Sequence, residues 1–281
     1  MEGMLMSANS RMARYHSGEA EDPQPQASPN QNGYQRRPAL ARWVAVLITL
    51  LTITVGLRFT VFNANYTAGV VSRDNTGQKV INDLNNDLLS LGISGNPVTS
   101  GLVQPYLEQG IAEIYGETAT TVDDADLKAA IAAQAQAMGV TASDSLQTSL
   151  ANQAQKTVKQ AVQTDTMMAA GTKIRRARQI DLWAIVAVVM LLIVTTIYAF
   201  SVYHVLGSLG PGLTVGGVLT IVLSVAGYFG LPVVLAGMTA AVQTAVTTVG
   251  HSGLGVIIFI GAAEIVLGLL VLLGHRTFRK A

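Results

Sequence analysis

Four apolar blocks set the limits on what this chain can fold into: residues 43–62, 182–203, 213–235 and 254–273. At 1.5 Å rise per residue, about twenty helical residues reach roughly 30 Å, the thickness of a bilayer's hydrocarbon core. An α-helix satisfies all its backbone hydrogen bonds within one segment, which that medium demands. The composition agrees: 50% of the 281 residues are hydrophobic and 12% charged, against about 25% charged in a soluble domain. The expectation is an all-α integral membrane protein with four transmembrane helices. The first block is read as an uncleaved anchor. The polar stretch before it is long for a signal peptide, and bulky Phe62 spoils the Phe62-Asn63-Ala64 cleavage pattern. Arg58 stands near its far end, where a long cation can snorkel.

Residues 63–178 form the long hydrophilic segment, enough for one small domain. Val80, Ile81, Leu84, Leu88 and Leu91 recur at three- and four-residue steps, with Gly92 to stop the helix. Leu102, Val103, Tyr106, Leu107, Ile111 and Ile114 mark a second helix. Thr121 with Asp124 predicts a capped third helix ending at Gly139. Ser143 caps a fourth, whose stripe is Leu146, Leu150, Ala154, Val158 and Val162. That helix is expected to continue towards the second span, Gly171 being the one interruption. Leu84, Leu88, Leu107, Ile111, Leu146 and Leu150 are the expected core. The Gly-rich stretch 206–212 predicts a loop, and the Thr-rich stretch 236–252 a loop or an interfacial helix.

Charge orients the chain. Residues 1–38 are rich in Ser, Asn, Gln, Pro and Gly, and predict a disordered tail. Arg11, Arg14, Arg36, Arg37 and Arg42 precede the first span; Arg276, Arg279 and Lys280 lie in the basic tail 274–281. The positive-inside rule places both tails in the cytoplasm and residues 63–178 outside, as a small helical extracytoplasmic domain between helices 1 and 2. Up to residue 172 that segment is acidic. Lys173, Arg175, Arg176 and Arg178 oppose this orientation, and a long translocated loop obeys the rule weakly. Outside, they would form either the solvated end of the second span or a contact for anionic lipid headgroups and wall polymers such as teichoic acids.

Motifs for nucleotide binding, zinc hydrolysis, serine hydrolysis and EF-hand calcium binding are absent. There is no cysteine, and His16, His204, His251 and His275 are scattered, so neither a metal site nor a cofactor is expected. Asp123, Asp124 and Asp126 suit the first turn of a helix better than a cation site. Glu264 is the sharpest residue, a carboxyl in the middle of the fourth span. It is expected to face the bundle interior as a neutral group bonded to Thr220 or Ser224; the rival role is a proton or cation site. Glycines along the last two spans predict close helix packing, with a broken third helix at Gly230-Leu231-Pro232 as the alternative.

Architecture and composition favour a non-enzymatic cell-envelope protein of a Gram-positive plasma membrane. Its exported domain would bind an envelope protein or an anionic wall polymer, and its other partner is the lipid bilayer. No polybasic domain points to nucleic acid. The alternative is a subunit of a transporter or channel with Glu264 as its intramembrane polar site. In outline the chain resembles four-span Gram-positive envelope proteins; no motif carries that likeness, and no site is taken from it.

Overall fold

The computed structural model describes residues 38–118, 121–201 and 205–278, so the predicted amino-terminal tail and the last three residues lie outside the described residues. Nine α-helices and no strand occur among the described residues. They are α1 (Pro38–Phe59), α2 (Ala64–Val71), α3 (Asn75–Ser90), α4 (Ser100–Tyr115), α5 (Ala125–Ala137), α6 (Asp144–Val162), α7 (Asp165–Ser201), α8 (Val205–Val234) and α9 (Ala240–Phe278). Four of them, α1, α7, α8 and α9, are long and apolar enough to cross a membrane.

Several boundaries differ from the sequence expectation. Stretch 206–212 is not a loop but part of α8, which runs through both Pro211 and Pro232. Membrane helices tolerate proline because neighbouring helices re-satisfy the freed backbone groups, and the same continuity removes the predicted break at Gly230-Leu231-Pro232. Residues 240–252 are not a separate interfacial piece but the first turns of α9. The interruption before α7 falls at Gln163 and Thr164 rather than Gly171. Gly171 lies inside the helix, where a Cβ would come within 2.5 Å of Ile114 Cγ2.

Helices α2 to α6 pack around an apolar core. Ser143 caps α6, its side chain accepting from the Leu146 N–H, and Gly116 and Gly139 close α4 and α5 with positive φ. Helix α5 starts at Ala125 instead of the Thr121 cap, because Asp123 accepts from the Ala125 N–H and Asp124 from the Tyr106 hydroxyl, at 2.8 Å. Leu84, Leu88, Leu107, Ile111 and Leu150 are buried in the core as the stripes predict, and Leu146 packs at its edge. Asn85 ties the turn after α3 to the core, exchanging two 3.1 Å bonds with the Val98 backbone. Val249 of α9 belongs to the same core.

In the bundle, α9 packs along α8 and α8 along α1, while α7 leans on α1. Small residues set these approaches. A Cβ on Gly217 would stand 2.5 Å from Gly261 O, and one on Gly268 2.6 Å from Thr214 N. Gly56 of α1 leaves room for Ile257, which is fully buried. Such close backbone approach is what drives helix association where lipid removes the hydrophobic force.

Candidate functional site

The polar interior of the bundle gathers on Glu264. Thr52 of α1 donates a hydrogen bond to Glu264 Oε1. Thr220 of α8 faces the same carboxyl, its Oγ1 buried without a partner of hydrogen-bonding geometry. Glu264 Oε2 and Ser224 Oγ are also buried without a protein partner. Glu264 therefore faces the bundle interior, as expected, but its hydrogen bond goes to the first span. Ser224 is not bonded to it. One turn before Thr52, Thr49 Oγ1 lies 2.9 Å from Ala45 O and 3.0 Å from Gly216 O, a second polar tie between α1 and α8. Thr49 and Thr52 were not singled out in the sequence, where they read as ordinary members of an apolar run. Asp181, buried at 7% exposure where α7 turns apolar, was also missed; Arg58 stands within electrostatic reach of it.

The four cations of α7 divide. Arg178 pairs with Glu117, and the Arg175 side chain lies against Gly116, which caps the carboxyl end of α4. Cations at a helix carboxyl terminus meet the negative end of its dipole, so these two clamp α7 to α4. Lys173 and Arg176 are exposed, and no ion pair holds either among the described residues.

Asp123 and Asp124 serve the start of α5, and among the described residues no three His, Asp or Glu side chains come together as a metal-ligating group. His251 stacks on Tyr228 with ring centroids 3.8 Å apart. His16, His204 and the His275 side chain lie outside the described residues. Burial, reinforced by its bond to Asp124, pushes the Tyr106 hydroxyl well above the ordinary tyrosine range. Burial also raises Tyr115, whose hydroxyl donates to Val61 O at 2.8 Å.

A further feature had no signal in the sequence. Helix α3 begins beside α7 and α9, at Thr76, and ends about 24 Å away by its rise. Helix α6 runs antiparallel to it, so its start, with Ser143 and Leu146, meets Leu91 at that far end. The turn after α5 joins them, Ser94 N–H reaching Met138 Sδ. Leu89 (59% exposed), Leu91 (52%), Met138 (37%) and Val140 (50%) are the apolar side chains left open there. Comparison with known proteins returns no matching family model, no similar curated protein and no similar solved structure.

Proposed function

We propose that this chain is a non-enzymatic membrane protein of a bacterial cell envelope. In this reading it sits in a Gram-positive plasma membrane with both termini in the cytoplasm, and the α2–α6 domain reaches outwards to bind a protein partner. The observation that carries the reading is the far end of that domain. Four large apolar side chains stay exposed where α3 ends and α6 begins, about 24 Å along α3 from its start beside α7 and α9, and exposed apolar side chains gathered at one end, or tip, of a domain support an interaction surface. The acidic balance of the domain supports an exported position, and the free Lys173 and Arg176 offer a second contact for an anionic polymer or headgroup.

The test uses the full-length chain in intact cells. A photoreactive residue at Leu91 should give one discrete protein adduct, and the same residue at exposed Lys156 on the flank of α6 should not. Val140→Asp, a surface change across the tip from Leu91, should abolish the adduct while leaving membrane abundance unchanged. Equal cross-linking from both positions, or an adduct indifferent to Val140→Asp, would remove the tip as the contact.

The second reading, a transporter or channel subunit, draws on one observation: the carboxyl of Glu264 and the unpartnered hydroxyl of Thr220 converge between three helices. A single carboxyl bonded to a neighbouring threonine also serves as an interhelical tie, and the tip gives that reading nothing to do. The partner-binding role is preferred on that ground.

A further inference from the structure

Beneath the domain, where α2, α4 and α6 meet α7 and α9, lies a cavity of about 120 Å³. That is below the roughly 300–1,000 Å³ of whole small-molecule sites and suits a segment of an apolar chain. Its walls are apolar, with Ile114, Val162, Met167, Ile174, Val246 and Val249 among them. Two of its three hydroxyls are already engaged. Thr67 and Tyr115 lie 3.2 Å apart, and Tyr115 donates to Val61 O. No charged side chain lines it. A polar ligand would find little to bond inside; a hydrocarbon chain would lose nothing by entering.

The position narrows the occupant. Met167, Ala170 and Ile174 belong to α7, and Ala245, Val246 and Val249 to α9. Both helices run on as apolar spans, yet they scarcely touch each other. The cavity thus lies between the ends of two helices that continue as membrane-crossing segments. Lys173 follows Ala170 by three residues, which puts the two side by side along one edge of α7. Its ammonium is unpaired among the described residues, whereas Arg178 on the same helix is held by Glu117. An apolar cavity walled by two such helices, with a cation unpaired among the described residues one turn from Ala170, matches an anionic phospholipid. We infer that the cavity takes a segment of an acyl chain of such a lipid, with Lys173, beside Ala170 on α7, holding the phosphate. This goes beyond partner binding at the tip and does not rest on it: that contact is followed at Leu91, this one at Ala170.

The experiment uses the full-length protein in phosphatidylcholine vesicles doped with a phosphatidylglycerol that carries a diazirine at the end of one acyl chain. After irradiation, label is expected on peptides covering 165–178 and 240–250. Ala170→Trp, which fills the cavity from α7, should remove most of that label without changing the elution profile of the protein. If that variant fails to fold, Ala245→Phe closes the cavity from α9 and should give the same loss. Lys173→Gln should reduce labelling by the phosphatidylglycerol probe, relative to the matching phosphatidylcholine probe, by about fivefold, equivalent to about 1 kcal/mol for one basic residue at an anionic surface. Label confined to the lipid-facing part of α7 would overturn the inference. So would label that persists in both filled variants, or complete competition by soluble glycerophosphate, which would make the ligand a free phosphate ester instead of a lipid.

Discussion

Glu264 and Tyr106 show two ways in which this chain buries a polar group. In the bundle, Glu264 leans on Thr52, and interhelical hydrogen bonds in membranes are worth about 0.6 kcal/mol on average and up to about 1.7 kcal/mol. Thr52→Val should therefore lower stability by no more than that, measured by thermal melting in detergent. Glu264→Gln keeps the shape and the acceptor for Thr52, so membrane abundance and melting should stay near wild type. Glu264→Lys should impair assembly, because a buried cation would have no carboxylate in reach. A Gln variant that folds at normal abundance yet loses the phenotype of a deletion would instead move the proton- or ion-coupled role forward. In the domain, the Tyr106 hydroxyl donates a hydrogen bond to Asp124 Oδ1 at 2.8 Å. Burial raises its pKa in the folded state, so the unfolded chain ionises first, near pH 10. The stability this bond gives is present below that pH and is lost as pH rises beyond it. Melting temperature should fall above about pH 10, less steeply in Tyr106→Phe, which itself costs about 1 kcal/mol at neutral pH.

Helix junctions divide into those with room and those without. At Gly77 in the first turn of α3, a Cβ would lie 2.4 Å from Val71 O and 2.5 Å from the Ser72 backbone. Gly77→Ala should cost about 1–3 kcal/mol, as overpacking does, because a backbone cannot step aside as a side chain can. At Gly101 in the first turn of α4 nothing stands within 4 Å. Gly101→Ala should stabilise by about 0.5–1 kcal/mol through helix propensity. Chemical denaturation of the pair reads both signs, and equal effects would contradict these geometries. Element boundaries were legible where side-chain chemistry is local. The stripe of Leu84 and Leu88, the Ser143 cap and the Gly139 stop follow from spacing alone. They were not legible where a neighbour decides. Gly210 and Gly212 suggest a loop, but in the fold they admit Leu272 and Val44 against a continuous helix. Nothing in Gln163-Thr164 resembles a breaker, yet α6 stops there. Thr52 could not be matched to Glu264 because the order in which helices pack is absent from any single helix's pattern. The far end of α3 was hidden for the same reason, since Leu91 and Leu146 come together only through the antiparallel run of α3 and α6.

Orientation across the bilayer decides which solution meets each surface. The chain contains no cysteine, so single replacements can be labelled without background. With an impermeant thiol reagent on intact cells, Ser145→Cys beside the α6 cap should be modified at once. Ser28→Cys, in the amino-terminal tail, and Thr277→Cys, at the end of α9, should react only after permeabilisation. Labelling of these two first would reverse the topology and place the tip, the cations of α7 and the cavity in the cytoplasm.

Val249 gives the fold an order in time. The core of the domain draws on residues from Ala64 to Val162, then waits for one side chain from the last helix. Roughly ninety residues separate Val162 from Val249, and at about 5–20 residues per second their synthesis takes on the order of 5–20 s. During that interval the underside of the domain, which α9 later covers, faces whatever receives the nascent chain. The last helix thus completes the first domain made, and a chain arrested before α9 is expected to leave the part of the core that Val249 covers open.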